Sequence, residues 1–246
     1  PADAVAIRAG ATYLVTGGLG GIGLATAEWL AQRGAGQLVL LGRRGPGEAD
    51  RDALEKMRAL GSEIIALACD IADPEAVRAL WRDTLASCPP LRGIVHSAGT
   101  LADAVLGEQD AERFDRVAAS KIAGALNLHS ASARDPLDFF ALYSSTSALL
   151  GSPGQANYAA ANAFLDSLAL HRRAIGLPAT SIAWGAWGEV GMASRLSEAQ
   201  RARWASAGIG LLEPSEAFPR LARALVGEAV HVAVMAIDPE RFLHEA

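Results

Sequence analysis

Short apolar runs rich in Val, Ile, Leu and aromatic residues recur along the chain, separated by stretches in which apolar positions return every three or four residues. The short runs predict strands at 12–16, 37–41, 63–68, 93–96, 139–143, 180–183 and 231–235. The longer stretches predict helices near 21–33, 50–60, 74–86, 110–132, 156–174, 197–207 and 215–226. Strand and helix alternate throughout. Strands apolar on both faces and joined by right-handed crossovers stack into one mainly parallel sheet with helices on either side, so a doubly wound α/β fold with seven strands is expected. No repeat, low-complexity segment or Pro/Ser-rich linker interrupts the alternation, and residues 1–246 read as a single domain. Ligands bind beyond the carboxyl ends of such strands. The irregular stretch after the sixth strand, 185–207, is therefore expected to serve as a lid.

Composition narrows the functional classes. Of 246 residues 51% are hydrophobic and 20% charged, which supports a sizeable core and excludes a disordered tail or a coiled coil. Twenty-seven acidic against twenty-two basic residues give a net charge of −5 without a block of like charges, so no nucleic-acid partner is expected. Cys69 and Cys88 are too few for a disulfide framework. His96, His129, His171, His231 and His244 lack ligand spacing, and no metal is expected. No apolar run is long enough to span a bilayer and residues 1–11 do not resemble a signal peptide, so the expectation is a cytoplasmic location with no membrane partner. The methionines are Met57, Met192 and Met235, and a start without an initiator residue points to processing or excision from something longer.

Directly after the first predicted strand comes Thr16-Gly17-Gly18-Leu19-Gly20-Gly21-Ile22-Gly23, and an amphipathic helix follows at once. Glycines there permit a tight turn and close approach of a pyrophosphate to the backbone, while N–H groups at the helix start favour its charge. An ordinary flexible turn is the alternative, but the strand before and the helix after favour a dinucleotide site. At the end of the second strand, where an acidic residue would grip the ribose diol of NAD, stand Arg43 and Arg44. Guanidinium groups grip a phosphate, so NADPH is the expected cofactor; two solvated surface arginines are the alternative. Asp70 and Ile71, closing the third strand, are placed to meet the adenine, although helix capping at Asp73 accounts for the acidic residues nearly as well.

The glycine turn, His96-Ser97-Ala98-Gly99, and Ser144-Ser145 thirteen residues before Tyr158 together resemble the short-chain dehydrogenase/reductase superfamily over nearly the whole chain. One departure is specific. Most members carry a lysine four residues after the tyrosine, where this chain has Asn162, and an asparagine in the helix where this chain has Lys121. That exchange resembles the ketoreductase domains of modular polyketide synthases and the related fatty acid synthases. The resemblance implies a Rossmann fold and reduction of a β-ketoacyl thioester by NADPH. It implies as partners an acyl carrier protein bearing the β-ketoacyl phosphopantetheine, other synthase domains, and a truncated Rossmann-like structural subdomain preceding the catalytic one. It assigns cofactor contacts to the glycine turn, to Arg43, Arg44, Asp70 and Ile71, to His96–Gly99, and to Lys121 and Tyr158.

The chemistry suits these residue types. Ketone reduction needs a hydride donor, a proton donor for the developing alkoxide and dipoles to stabilise it. Tyr158 would give the proton, a Lys121 ammonium would lower the phenol's pKa, Ser145 would hydrogen-bond the carbonyl oxygen, and Asn162, one turn beyond Tyr158, would support the network. Taken singly, Lys121 reads as a solvated helix charge, Ser145 as a turn residue, Asn162 as a surface position and Tyr158 as a core aromatic. Four residues at family spacing on three elements read as a site.

In polyketide ketoreductases a Leu-Asp-Asp motif after the fourth strand marks formation of a D-configured hydroxyl, and a tryptophan before the tyrosine marks the opposite. Here the loop reads Leu101-Ala102-Asp103, and Leu150 stands at the tryptophan's place with Pro153 and Asn157 of the D-type pattern. D-type product is expected; Asp103 as a helix cap and Pro153 as a turn former are the alternatives. Gln155 and Trp184-Gly185-Ala186-Trp187-Gly188 are assigned to the substrate side, the tryptophans either walling an acyl chain or packing in the core. Arg195, Arg201 and Arg203 either meet a carrier's phosphopantetheine or form a solvated face. Asp166-Ser167-Leu168 resembles a carrier attachment triplet but lies within the Tyr158 helix, so that reading is rejected. Rival readings are a free-standing carbonyl reductase, a silent NADPH-binding scaffold and a methyltransferase, the last of which leaves Tyr158 and Lys121 unexplained.

Overall fold

A computed structural model describes residues 5–188, 190 and 198–245. In chain order the elements are β1 (Thr12–Thr16), α1 (Gly21–Gln32), β2 (Gln37–Gly42), α2 (Arg51–Ala59), β3 (Glu63–Ala68), α3 (Pro74–Ala79), β4 (Leu91–His96), α4 (Ala111–Ala118) and α5 (Gly124–Ala131). They continue as β5 (Phe139–Ser145), α6 (Ser147–Leu150), α7 (Ala156–Ala174), β6 (Thr180–Trp184), α8 (Glu198–Ser206), α9 (Pro214–Ala224), β7 (His231–Val234) and α10 (Pro239–Glu245). The strands form one sheet in the order β3-β2-β1-β4-β5-β6-β7, and every neighbouring pair is parallel. The seven strands expected from the apolar runs are all present.

The central strands of the sheet are buried on both faces, and their period-two alternation feeds two separate cores. Tyr13 and Val15 of β1 and Leu38 and Leu40 of β2 pack with Ala27 and Leu30 of α1 and Leu221 of α9. The intervening Leu14, Val39 and Leu41 turn to the other face, joining Leu128 of α5 and Leu165 and Leu168 of α7. On that second face the fully buried Arg172 lies over the Phe140 ring at 3.9 Å and donates from Nε to the Pro178 carbonyl at 3.1 Å. It has no acidic partner among the described residues, and burial pushes its pKa down to about 10.

Register places the site. Thr16 pairs with His96 across β1 and β4, Gly42 with Ala68 across β2 and β3, and Ser145 with Trp184 across β5 and β6. These residues form a row along the carboxyl edge of the sheet. Strand order reverses about β1, with β2 on one side and β4 on the other, and the crevice at such a reversal is where ligands of parallel sheets bind.

Two predicted helices differ from expectation in the same way. The stretch read as one helix over 110–132 is α4, a π-helical turn at Ala119–Ala123, and α5. The stretch read as 74–86 is α3 followed by a π-turn at Leu80–Thr84 and a 3-10 turn at Leu85–Ser87. A π-turn inserts one residue into the helical repeat and leaves apolar periodicity nearly intact, so the pattern of side chains does not reveal it. Within the lid expected over 185–207, residues 189 and 191–197, including Arg195, lie outside the described residues, as do the side chains of Arg201, Arg203 and His244. No described helix is long and apolar enough to cross a membrane.

Candidate active site

The glycine turn is built to admit an anion. Gly17 has φ of 69°, and a Cβ on Gly23 would run into the Gly17 carbonyl and the Ser97 hydroxyl. Gly20, extended at the N-cap of α1, has open space where a side chain would stand; the helix has no side-chain cap and no acidic residue in its first turn. Its first N–H groups are thus left without a side-chain cap, the condition under which a helix start can take an anion. Leu19 and Ile22 point the other way, packing against the core. Ser97 Oγ donates to the Thr16 carbonyl at 2.6 Å and its own N–H does so at 3.2 Å, tying the turn after β4 to the turn after β1.

Beside this turn a cavity of about 180 Å³ is walled by Thr16, Gly17, Arg43, Asp70, Ile71, Ala98 and Gly99 from the residues singled out by sequence. Residues 18–23 of the turn, Arg44, His96, Ser97, Lys121 and Tyr158 are not in its wall. Seven further lining residues are not among those the sequence assigns to the site: Leu41, Gly42, Cys69 and Thr100 at the strand ends, and Arg116, Ala119 and Ser120, which close the cavity from α4 and the π-turn. Arg116 and Ser120 are four residues apart and so share a helical face, and Arg116 pairs with Glu112 at 2.7 Å. Their signal was position: they stand five residues and one residue before Lys121.

The four candidate catalytic side chains gather at the same edge. Lys121, in the π-turn, is only 2% exposed; its Nζ donates to the Tyr143 carbonyl at 2.8 Å and stands 5.3 Å from the centre of the Tyr158 ring. Burial lowers its pKa to about 7, against which the charge of Asp166 pulls upward. The phenol of Tyr158 is shifted above its ordinary value, chiefly by burial, with Asn162 opposing the rise and Asp103 adding to it. The sequence-based expectation was a lowered pKa. Desolvation dominates here, and the amine of Lys121 is bonded to a carbonyl of β5 rather than to the phenol. Ser145 Oγ accepts from the Ser147 N–H at 3.1 Å, and among the described residues no bond uses its O–H. Asn162, fully buried, donates to the Tyr158 carbonyl at 2.8 Å and leaves Oδ1 without a partner.

Two loops are stitched together in front of these residues. Gln155 Nε2 donates to Asp103 at 3.0 Å, the Ala104 N–H to the Gly154 carbonyl at 2.9 Å, and Asn157 Nδ2 to the Ala102 carbonyl at 2.8 Å. Asn157 Oδ1 accepts from the Tyr158 N–H at 2.7 Å, so the second residue of α7 ties the loop after β4 to the start of the tyrosine's helix. Leu150 is 52% exposed and Pro153 is exposed beside it. Trp184 and Trp187 do not wall a cleft. Both are buried, in edge-to-face contact at 5.1 Å, and Trp187 meets Phe218 of α9 at 5.5 Å. The two indoles belong to the core under the sheet, and only Gly185, held through its N–H to the Val234 carbonyl at 2.8 Å, stays at the edge.

A glycine turn at the strand-order reversal, with a lysine and tyrosine converging beside it, is the arrangement of an oxidoreductase of the Rossmann type. Comparison with known proteins gives the family: the chain belongs to the KR domain family, whose model matches residues 11–189, and is a ketoreductase domain. It is 46% identical over 232 residues to the polyketide synthase GfsB of Streptomyces halstedii, a match covering 94% of this chain and 4% of that protein. Over 198 residues it is also 46% identical to a mycocerosic acid synthase-like polyketide synthase of Mycobacterium tuberculosis, covering 80% of this chain and 9% of the relative. Among solved structures, one of A-type ketoreductases from a modular polyketide synthase superposes with a TM-score of 0.90 at 40% identity, over 98% of this chain and 51% of that one. The ketoreductase from the first module of phoslactomycin biosynthesis in Streptomyces sp. HK803 superposes with a TM-score of 0.90 at 35% identity, over 98% and 56%. The chain thus spans about half of these solved ketoreductases and under a tenth of the synthases.

Proposed function

We propose that the domain reduces a β-ketoacyl thioester, tethered to an acyl carrier protein, to the 3-hydroxyacyl thioester with NADPH, within a larger synthase. The observation that carries this reading is the approach of the buried Lys121 amine to the Tyr158 ring at the carboxyl edge of the sheet. The uncapped start of α1 and the open backbone at Gly20 would hold the pyrophosphate, and Arg43, in the cavity wall, the 2′-phosphate. NADPH supplies the hydride when bound. Ser145 donates a hydrogen bond to the ketone oxygen, Tyr158 gives the proton to the alkoxide, and Lys121 stabilises the phenolate left behind. Asn162, with a free Oδ1 in a buried setting, orders polar groups behind the tyrosine.

A D-configured alcohol is the expected product. This is supported by Leu150 where a tryptophan would otherwise stand, and by Asp103 and Asn157 linking the two loops ahead of Tyr158. Similar structures of the A-type make the configuration the informative readout. The test follows NADPH absorbance with a racemic 2-methyl-3-ketoacyl thioester, resolves the product stereoisomers and repeats the assay with Tyr158→Phe. Turnover should fall by about 10²–10⁴-fold with cofactor affinity unchanged. Full activity in the variant would remove the proton-donor assignment, and an L product would reverse the stereochemical one. A carrier-bound substrate reduced no faster than its free thioester would favour a free-standing carbonyl reductase instead.

A further inference from the structure

His96 is a fully buried polar residue whose ring is absent from the cavity wall, although its neighbours Ala98 and Gly99 line it. Both ring nitrogens are engaged. Nδ1 lies 2.9 Å from Thr16 Oγ1, and Nε2 lies 3.2 Å from the backbone carbonyl of Lys121. A carbonyl only accepts, so Nε2 carries the proton, and the neutral ring then accepts at Nδ1 from the Thr16 hydroxyl. That hydroxyl in turn accepts from the Ala98 N–H at 3.3 Å. Burial and the nearby Lys121 charge press the imidazole pKa down to about 3, which keeps this one arrangement across the working range. Gly124, one turn past Lys121, makes room: a Cβ there would stand 3.5 Å from His96 Cε1 and 2.7 Å from Ile71 Cδ1.

We infer that His96 is a positioning residue whose ring, protonated at Nε2, clamps the Lys121 carbonyl to Thr16 and so fixes the Lys121 amine relative to the glycine turn. The inference rests on the proposed role of Lys121 and adds what holds that lysine in place. Through Thr16 Oγ1 and Lys121 O, one ring joins the first residue of the cofactor turn to the π-turn, two segments with no direct covalent or ladder connection. His96 pairs with Thr16 in the sheet, so the clamp is anchored at the strand-order reversal.

Two substitutions separate clamp from mere packing. A glutamine amide reaches the position of Nε2 and an asparagine amide that of Nδ1. His96→Gln therefore preserves the donor to Lys121, and His96→Asn preserves only the link to Thr16. Turnover should fall about tenfold or more in His96→Asn, with a shifted pH profile and NADPH affinity within about twofold, while His96→Gln should stay within about threefold of the parent. Equal losses in both variants that track their melting temperatures, or a His96→Asn chain with the parent's turnover and pH profile, would overturn the clamp. Imidazole ¹⁵N shifts of the unaltered chain test it without any substitution: a single neutral tautomer protonated at Nε2, unchanged from about pH 5 to about pH 9, is expected, and a proton on Nδ1 overturns it. Lys121→Ala distinguishes the two levels. Unchanged turnover there overturns the proposed reaction and the clamp together, whereas lost turnover there beside an unaffected His96→Asn overturns the clamp alone.

Discussion

Protonated, Lys121 puts a positive charge where water scarcely reaches, and the fold bears a cost for it. Its pKa of about 7 lies below the ordinary 10.5, so between those values the unfolded chain binds more protons than the folded one and stability rises with pH. Below about pH 7 the penalty is fully present. Lys121→Met should therefore melt at a higher temperature than the parent at about pH 6, the gap closing as pH climbs toward 10, while turnover is lost; melting curves across pH check both halves. The arginines give a second expectation at this scale. Arg43 is in the cavity wall and Arg44 is not, so Arg43→Gln should weaken NADPH about tenfold and NADH little, and Arg44→Gln neither, by fluorescence titration. Sequence showed which residues exchange places, lysine for asparagine, because motif spacing survives in one dimension. It did not show that the lysine's amine bonds a β5 carbonyl or that burial raises the tyrosine's pKa, since both depend on packing between distant segments.

Elements carry the next layer. The π-turn Ala119–Ala123 adds a residue between α4 and α5, so the two helices present faces offset by about 100° from those of an unbroken helix. Removing Ala119 should restore a regular helix and keep the far-ultraviolet circular dichroism, yet swing Lys121 off the Tyr143 carbonyl and abolish turnover; retained activity would show that the extra residue is dispensable. Strand positions were legible because each strand is short, apolar and bounded by polar turns. The π-turn was not, because residues on both sides of it keep an apolar return of three or four. Trp184 and Trp187 were ambiguous for a related reason: a tryptophan beyond a strand end fits a cleft wall or a core, and only the arrival of Phe218 from α9 decides for the core.

At the scale of the molecule, an all-parallel sheet makes every ladder depend on a crossover. Buried on both faces and flanked on both edges, β1 and β4 should exchange their amide hydrogens last, and β3 and β7, at the sheet edges, first; native-state exchange followed by mass spectrometry checks the order. Arg172 links to this level too. Its guanidinium lies in the core with no carboxylate partner among the described residues, so Arg172→Met should cost less stability than Arg172→Ala, which also empties the space over Phe140. The pairing of Thr16 with His96 spans 80 positions, and until the later segment arrives one flank of β1 has nothing to pair with. On the ribosome, the emerging half-sheet would pass through a sticky interval that ends only when residue 96 leaves the exit tunnel, the stretch over which chaperone capture should be strongest.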